Sequence, residues 1–424
     1  MRRRAWDMRA AFRRLPSPSR ASDFLHHAAG VVRLNNGSFG AAPLPVQQAE
    51  AAHRSRWLAN PDAFYFGTGS ASLDGMLSAS AATAAKALAA PVETVALVEN
   101  ATVAAAVVGQ RWAAKLRERS SEGGSAVLLL DVCYKAVAYS LAHFCEPAGG
   151  RLVYSSVPFP GTSAQALLDN LEATLRETRP RFAMLDHVSS QPALKLPVRE
   201  MVELCRAHGV EEIAIDAAHT IGNVPASEHD APSIGADFLF VNMHKWAMCP
   251  SPVTALYARE EFASETHHVV PSWHAGSGLL QESRWTGTRD YAGFLTVPEA
   301  LDYLKEWRSV DGLDAVEYNA TGQRQAAQML REAWQVDECV QDEEISSGMA
   351  MSMVRLPRSL DLSADLPGQP SAGVRSTLRD RYGIEAAVGG FGEHGGFVRL
   401  SHAIYNSDED YERLRDAVAE MAAI

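Results

Sequence analysis

Three stretches of this 424-residue chain decide its fold: FAMLDHVSS at residues 182–190, IAIDAAH at 213–219 and FLFVNMHKW at 238–246. Each begins with a short apolar run and passes directly into polar residues. Continuous apolar runs are typical of strands that are buried on both faces, as in a parallel sheet. Ligands bind at the carboxyl ends of such strands, so the polar residues that follow them are the candidate functional residues.

Similar apolar runs lie on either side of these three and alternate with helical patterns. Further strands are predicted at 95–98, 126–130, 152–157 and 253–257, and helices at 69–90, 102–119, 134–145, 164–178 and 198–208. This alternation predicts an α/β fold with a mostly parallel sheet that is covered on both faces. The last two strands, at 238–241 and 253–257, have no helix between them, so one of them can run antiparallel.

The pattern changes after Arg289. Long helices are predicted at 298–307 and 310–334, strands at 349–356 and 397–401, and further helices at 375–382 and 408–423. We therefore predict three parts: a basic N-terminal segment (1–30) with a helix over 3–15, a large α/β domain (31–295) and a small C-terminal α+β domain (296–424). The glycine-rich stretch 389–396 precedes a strand and predicts a mobile loop.

The composition excludes several classes of function. Lys and Arg total 39 against 51 Asp and Glu, so the formal net charge is −12 and no uniformly basic surface for nucleic acid is expected. No apolar run has the roughly 18 residues of a membrane span. Five cysteines, an odd number with no C-x-x-C pair, indicate neither a disulfide framework nor a zinc site, and we expect no metal. We predict a cytoplasmic protein, with the Arg-rich first twenty residues allowing a mitochondrial alternative.

Lys245 is the first candidate for catalysis. It is one of only six lysines, and it lies between Met243 and Trp246 just past a strand end. An apolar environment lowers the pKa of a lysine and makes a neutral amine available as a nucleophile or base. The structural alternative is a surface lysine whose stem lies along apolar neighbours.

Asp216 ends the preceding strand, and His219 follows it three residues later. A carboxylate in that place can hold a protonated ring nitrogen, as a pyridoxal phosphate (PLP) site requires. The structural alternative for Asp216 is an ordinary helix N-cap. The combination of Asp216, His219 and then Lys245 is a sharper pattern than any one of these residues.

The stretch ENAT at residues 99–102 leaves a strand and opens a helix, where backbone N–H groups and the Thr102 hydroxyl can bind a phosphate. Simple capping by Asn100 or Thr102 is the alternative. No G-x-G-x-x-G follows the first strand, which disfavours a dinucleotide. Neither H-E-x-x-H nor G-x-S-x-G occurs, which disfavours a metalloprotease and an α/β-hydrolase.

Tyr134 and Arg399 complete the candidates. Tyr134 can stack on a cofactor ring or be a half-buried core aromatic residue. Arg399 is a cation within the apolar strand VRLS at residues 398–401, and a buried charge needs a partner. A substrate carboxylate held by the guanidinium fork and a structural Asp or Glu are equally acceptable partners at this stage.

From about Arg33 to Ala423 the chain resembles the class V, fold-type I PLP enzymes, and within them the plant-type L-cysteine desulfhydrases of the isopenicillin N epimerase-like branch. The matching motifs are LNNGSFG (34–40), PDAFYF (61–66), DHVSS (186–190), DAAH (216–219), HKW (244–246), WTGTRD (285–290), VRLSH (398–402) and YN (405–406). They are specific for the superfamily and less specific for the substrate.

The resemblance assigns a role to each candidate. It implies that Lys245 forms the Schiff base with PLP, that Asp216 faces the pyridine nitrogen and that His219 lies beside the phenolic oxygen. It places Tyr134, where the desulfhydrase pattern has Phe, on the cofactor ring. The remaining contacts that it implies are Ala101, Thr102 and His244 to the phosphate, Thr288 to the phosphate of the partner subunit's cofactor, and Arg399 with Asn36 to the substrate carboxylate.

The activity implied by the resemblance is α,β-elimination of L-cysteine, or of a related thio amino acid, to sulfide, pyruvate and ammonia by a PLP-dependent lyase. Alternatives with the same parts are an amino-acid epimerase, a hercynylcysteine sulfoxide lyase and a class V aminotransferase. An epimerase needs a second acid or base opposite Lys245, for which Tyr134 or His219 is available. A persulfide-forming desulfurase is disfavoured because the 389–396 loop has no cysteine. The expected assembly is a homodimer with shared active sites.

Overall fold

The computed structural model describes residues 21–118, 125–340, 342–365 and 373–423, so the helix predicted at 3–15 lies outside the described residues. The strands are β1 (Val32–Arg33), β2 (Val95–Val98), β3 (Ser125–Leu130), β4 (Gly150–Ser155), β5 (Phe182–Asp186), β6 (Glu212–Asp216), β7 (Phe238–Asn242), β8 (Thr254–Ala258), β9 (Met351–Arg355), β10 (Ile384–Glu385), β11 (Ala387–Gly390) and β12 (Gly396–Ser401).

The first eight α-helices are α1 (Asn36–Phe39), α2 (Leu44–Ala59), α3 (Pro61–Phe66), α4 (Leu73–Ala87), α5 (Ala101–Glu118), α6 (Lys135–Cys145), α7 (Ala164–Thr178) and α8 (Val198–Ala207). The others are α9 (Ala231–Ile234), α10 (Glu260–Ala263), α11 (Leu279–Arg284), α12 (Val297–Glu306), α13 (Ala315–Trp334), α14 (Glu343–Ser346), α15 (Val374–Tyr382) and α16 (Asp408–Met421).

A seven-stranded sheet forms the largest part of the molecule, in the order β2-β8-β7-β6-β5-β3-β4. The pairs from β7 through β6, β5 and β3 to β4 are parallel. Strand β8 is antiparallel to both of its neighbours, β7 and β2. The predicted mostly parallel sheet is confirmed, and β8 is the antiparallel member of the pair that lacked an intervening helix.

Both faces of this sheet are buried, as its continuous apolar strands require. In β3, Leu128 and Leu130 belong to one apolar cluster, whereas Val127 and Leu129 belong to another. Helices α4, α7 and α8 contribute to the first cluster, and α5 and α6 contribute to the second. The sheet is therefore fixed between two helical layers, which hold its strand ends in place.

A smaller antiparallel sheet, in the order β11-β12-β9, lies in the C-terminal part of the chain. Leu330 of α13 and Leu414 of α16 share an apolar cluster with the strands of this sheet. Near the N-terminus, β1 pairs in parallel with β10, and Val32 and Leu34 join the same cluster. The domain limits at residues 30 and 295 stay predictions.

Helices α2 and α3 were not predicted, and the helix predicted over 69–90 is confined to Leu73–Ala87. Two further segments differ from the sequence predictions. The helix predicted from residue 310 begins at Ala315, because Asp314 and Glu317 form a capping box that fixes its start. The glycine-rich stretch 389–396 is a tight hairpin rather than a simple loop, since Gly389 and Gly390 still pair with β12. Of the helices in the part of the chain that the structure describes, none has both the length and the apolar character that crossing a membrane requires.

Candidate active site

The polar residues that follow the apolar strands meet at one edge of the large sheet, as predicted. Strands β2, β3, β5, β6 and β7 all end at this edge. Strand β2 runs in the same direction as the others, because β8 is antiparallel both to β2 and to β7. The ends of β5, β6 and β7 bring Asp186, Asp216 and Asn242 onto neighbouring strands. The candidate residues from four separate sequence motifs therefore share one site.

Lys245 lies against His219, with Nζ 3.0 Å from the imidazole Nε2. The indole Nε1–H of Trp246 donates to the other ring nitrogen of His219, Nδ1, at 3.3 Å. An indole N–H can only donate, so Nδ1 is the acceptor and the proton of the neutral imidazole lies on Nε2. His219 Nε2–H then donates to the lone pair of Lys245 Nζ, which favours an unprotonated amine.

The electrostatics of the site agree with this arrangement. Burial lowers the pKa of Lys245 to about 8, against a partial increase from the charge of Asp216 and a further decrease from Arg399. Burial also holds the pKa of His219 well below its usual value, and the charge of Lys245 adds to this effect. His219 is therefore neutral, and Lys245 is poised to exchange a proton near neutral pH.

Asp216 and Asp186 are opposite each other on β6 and β5, and both are buried. Burial and then the charge of Asp216 raise the pKa of Asp186 well above the usual carboxyl range. Burial also raises the pKa of Asp216, but the Ala218 N–H at 3.0 Å and the charge of Lys245 act in the opposite direction. Two carboxylates this close do not both ionise readily, so Asp216 is the ionised member and Asp186 the protonated one.

Two glycines allow other segments to approach the lysine backbone closely. Gly40, at φ +68°, lies so near the carbonyl oxygen of His244 that a Cβ would collide with it. A Cβ at Gly222, where φ is +84°, would likewise collide with the carbonyl oxygen of Trp246. Both positions thus require glycine for two reasons, backbone conformation and space. The motif LNNGSFG and the segment after His219 therefore fix Lys245 from two sides.

Asn36 fixes the same backbone through its side chain. Its Nδ2 donates to the carbonyl oxygen of Lys245 at 3.1 Å, and its Oδ1 accepts from the Tyr405 hydroxyl at 3.0 Å. The resemblance assigned Asn36 to the substrate carboxylate, and that role stays a prediction. In the structure its amide is engaged in holding Lys245.

The start of α5 offers donors for a phosphate, although not all of those predicted. The Ala101 N–H donates to Asn242 Oδ1 at 2.9 Å, and that oxygen also accepts from Thr254. Among the described residues no acceptor is found for the backbone N–H or hydroxyl of Thr102. His244 is anchored through Nδ1 to the backbone of Val253, which leaves Nε2 as its other ring nitrogen.

Arg399 is the second buried cation of the site, with 2 % of its surface exposed. Its Nη1 donates to the carbonyl and hydroxyl oxygens of Ser190, each at 3.0 Å, and its Nη2 donates to Asn35 Oδ1 at 2.6 Å and Ser38 Oγ at 2.8 Å. All four acceptors are neutral, and its buried Nε has no partner.

No carboxylate pairs with Arg399 among the described residues, which disfavours the alternative of a structural Asp or Glu. Burial lowers the pKa of Arg399 to about 10, with Arg375 adding to the effect, and this still leaves it charged near neutral pH. A buried guanidinium that touches only neutral oxygens is incompletely compensated. An anion from outside the chain would complete its pairing.

Tyr134 and Thr288 are less enclosed than the other predicted residues. Tyr134 immediately precedes α6 and is 46 % exposed. Thr288 is exposed. The neighbouring Arg289 forms an ion pair with Glu99, which precedes α5, and its guanidinium lies over the ring of Tyr291. Roles for Tyr134 and Thr288 at the cofactor stay predictions.

Sequence reasoning assigned no role to several residues of the site. Asn35 and Ser38 hold Arg399, yet only their membership of the LNNGSFG motif marked them. Asp186 and Ser190 were marked as polar residues at the end of an apolar strand, but without a role. Cys133 precedes Tyr134. Burial raises the pKa of its thiol, and the neighbouring Asp186 and Asp216 act in the same direction.

The chain was compared with known proteins. The model of the family "Aminotransferase class-V" matches residues 41–414. A putative L-cysteine desulfhydrase 1 from Oryza sativa subsp. japonica is 37% identical over 425 residues, covering 95% of this chain and 85% of the relative. An L-cysteine desulfhydrase from Arabidopsis thaliana is 34% identical over 421 residues, covering 94% and 90%. A solved structure of a C-DES variant, with glycine covalently linked to its PLP cofactor, shares the fold at a TM-score of 0.70 and 15% identity, covering 92% of this chain and 97% of that one.

Proposed function

The chain belongs to the class V aminotransferase family, and on this basis we propose that it is a PLP-dependent carbon–sulfur lyase acting on L-cysteine or a related thio amino acid. The products are sulfide, pyruvate and ammonia. The observation that carries the proposal is that two buried basic side chains, Lys245 and Arg399, lie in one site and have different surroundings. Lys245 has a neutral histidine at its amine, and Arg399 has only neutral acceptors.

The residues at the strand ends fit PLP. Lys245 has the low pKa that covalent attachment of an aldehyde requires, and ionised Asp216 accepts just one hydrogen bond from the described residues, from Ala218. It can therefore also bind a protonated ring nitrogen. Thr102 and His244 would hold the phosphate. When bound, PLP supplies an electron sink for the pair released as the substrate loses its α-proton.

The protein residues divide the remaining work. Arg399 binds the substrate α-carboxylate through its guanidinium and so fixes the amino acid relative to Lys245. Lys245 Nζ takes the α-proton, and the neutral state that it needs is favoured by the Nε2–H of His219. Asp216 stays ionised and keeps the ring nitrogen protonated. Asn36, Gly40 and Gly222 hold the lysine backbone so that Nζ remains in reach.

Persulfide transfer, the chemistry of a desulfurase, is poorly supported by the cysteines. Cys339 is buried, its Sγ donates to the Met353 carbonyl at 3.0 Å, and burial raises its pKa to about 11. Cys133 adjoins the site, but burial raises its pKa far above the usual range, and the charge of Asp216 acts in the same direction. A protonated thiol is a poor nucleophile. Elimination with release of sulfide is therefore favoured.

Epimerisation would need a second acid or base on the opposite side of the α-carbon from Lys245. His219 lies 3.0 Å from Lys245 Nζ and therefore acts on the same group. Tyr134 is the candidate that remains. We expect Tyr134→Phe to keep sulfide release from L-cysteine, and D-cysteine should not accumulate with either protein.

A product balance tests the proposed function. Purified holoenzyme with L-cysteine should release sulfide, pyruvate and ammonia in equal amounts, and Cys133→Ser should do the same. Formation of alanine together with a persulfide on the protein would instead establish a desulfurase. Accumulation of D-cysteine without sulfide would establish an epimerase.

The proposed assembly is a homodimer in which Thr288 reaches the cofactor phosphate of the partner subunit. Its support is the family resemblance and the exposure of Thr288 in the single chain. Inactive Lys245→Ala mixed with inactive Thr288→Trp should recover about a quarter of wild-type activity, since half of the dimers would be mixed and hold one intact site. A fully active monomer in sedimentation would contradict the shared site.

The proposed compartment is the cytoplasm. A reducing environment suits five cysteines that are all free in the structure. Fluorescent tagging at the C-terminus would test the location, and a mitochondrial signal would revive the alternative raised by the Arg-rich first twenty residues.

A further inference from the structure

A cavity of about 550 Å³ opens beside the candidate active site. Its walls include Tyr134 and Tyr139 from the start of α6, Phe159 from the segment after β4, and Phe391 from the glycine-rich hairpin. We refer to the space between these four rings as the aromatic cavity. Its volume lies in the range of roughly 300–1,000 Å³ typical of small-molecule pockets.

The aromatic wall is braced from behind. The ring of Phe159 lies 5.1 Å from that of Phe391, and both contact the ring of Phe397, at 5.1 and 5.3 Å between centroids. Phe397 is fully buried on β12, two residues before Arg399. The Phe391 N–H donates to the Gly395 carbonyl at 2.9 Å and closes the tight turn of the hairpin. This turn holds Phe391 against the aromatic wall.

The aromatic cavity adjoins Arg399, the residue proposed to bind the substrate carboxylate. Ser190 lines the cavity and also accepts two hydrogen bonds from Arg399. Tyr134, which is predicted to stack on the cofactor, lines the cavity as well. An amino acid held between Arg399 and Lys245 thus has the cavity open to its side chain.

L-Cysteine does not use this space, because its side chain is one methylene and one sulfur. The only acidic residue on the cavity wall, Asp131, is already engaged by the Val157 N–H and the Ser156 hydroxyl, each at 2.9 Å. Although Lys135 and Gln191 also line the cavity, its four aromatic rings favour a flat aromatic occupant that stacks on them. The lining therefore matches an organic group attached to the substrate sulfur.

We propose that this site accepts S-conjugates of L-cysteine that carry an aromatic group on sulfur, with the aromatic group in the aromatic cavity. This inference rests on the proposed lyase function and names its substrate class. The reaction breaks the bond between Cβ and sulfur, the sulfur leaves with the electron pair as a thiolate, and the α-proton goes to Lys245 Nζ. Addition of one water to the remaining fragment gives pyruvate and ammonia, and the thiolate takes up a proton.

S-Benzyl-L-cysteine is the probe. Holoenzyme should convert it to benzyl mercaptan, pyruvate and ammonia with a kcat/KM at least equal to that for L-cysteine. Phe391→Ala should lower the ratio of kcat/KM for S-benzyl-L-cysteine over L-cysteine about tenfold, because a ring contact is lost. Ala136→Phe, which fills the cavity from α6, should lower the same ratio at least as much.

Tyr154→Ala is the matched control, since Tyr154 is 50 % exposed on β4 and does not line the cavity. It should leave the ratio unchanged. Conversion of L-cysteine without conversion of the S-benzyl compound would overturn this inference and leave the lyase function standing. An equal fall of the ratio in Tyr154→Ala would also overturn it. If neither compound reacts while the cofactor is bound, the proposed lyase function itself fails.

Discussion

Strand β6 carries a buried carboxylate at each end, and the two carboxylates are paired very differently. Glu212 and Asp216 are each 6 % exposed. Glu212 accepts three hydrogen bonds, from Arg111 Nε at 3.0 Å, Arg111 Nη2 at 2.9 Å and Trp112 Nε1 at 3.0 Å. Asp216 accepts one, from the Ala218 N–H at 3.0 Å.

The same contrast separates the two buried arginines. Arg111 meets Glu212 through two parallel N–H bonds, whereas Arg399 meets only neutral oxygens. At the Glu212 end the buried carboxylate and the buried guanidinium are partners of each other within the described residues. At the Asp216 end, Asp216 and Arg399 are buried with fewer hydrogen-bond partners among the described residues than their side chains can bind. Incomplete pairing of this kind, rather than burial alone, marks the end where ligands bind.

The largest expected effect is that of Lys245→Ala. We predict a fall in turnover of L-cysteine of roughly 10⁴-fold or more, since the group that takes the α-proton is removed. The visible absorbance band of the lysine-bound cofactor should also be lost, while the circular dichroism spectrum is kept. Near wild-type turnover in this variant would refute the role of the Asp216 end in catalysis.

The second-largest expected effect on turnover is that of Asp216→Asn. It should reduce kcat roughly 10³-fold, because the ring nitrogen loses the carboxylate that keeps it protonated. The free energy of unfolding of the cofactor-free protein should not fall, because Asp216 has one protein donor and faces Asp186. Turnover and chemical denaturation together measure this. A strong loss of stability with normal turnover would make Asp216 a structural residue like Glu212.

Glu212→Gln should show the opposite behaviour. Leaving Arg111 without its carboxylate should cost about 3 kcal/mol of unfolding free energy. Turnover at a temperature where the variant is folded should stay within about twofold of the wild type, since Glu212 is at the far end of β6. Urea denaturation and initial rates are the measurements. A large fall in kcat without destabilisation would erase the contrast between the two ends.

The smallest expected effect is the change of the wild-type rate with pH. The proposed transfer of the α-proton requires a neutral Lys245. Burial lowers the pKa of Lys245 to about 8, so its neutral form increases as the pH rises through that value. The rate should rise roughly tenfold between pH 7 and pH 9 and then level off. β-Chloro-L-alanine is the substrate for this test, because it has no thiol that titrates nearby. A rate still rising steeply above pH 10 would indicate a lysine of ordinary pKa.

Much of the Asp216 end could be predicted from local sequence. Each strand is a continuous apolar run, and parallel strands bring the residues after them to one edge, so Asp216, His219 and Lys245 could be placed together without a structure. The same logic marks Asp186 at the end of β5, although it does not show that Asp186 faces Asp216. The start of α13 at Ala315 was also encoded, in the Asp314 and Glu317 capping box.

The partners of Arg399 could not be predicted in this way. Ser190 precedes it by 209 positions and Asn35 by 364, and no periodicity connects segments so far apart. The proton on His219 Nε2 depends on Trp246 donating to Nδ1, which is a matter of side-chain geometry. The pairing of Arg111 with Glu212 likewise depends on how α5 packs against β6.

Lys245 is proposed to bind PLP at the incompletely paired end of β6. Reduction of the purified holoenzyme with sodium borohydride, followed by peptide mapping in a mass spectrometer, tests it most directly. The reduced cofactor should be found on the peptide that contains Lys245, and on none of the other five lysines. Recovery of the cofactor on a different lysine, or an unmodified Lys245 peptide from protein that carries the visible band, would contradict the account.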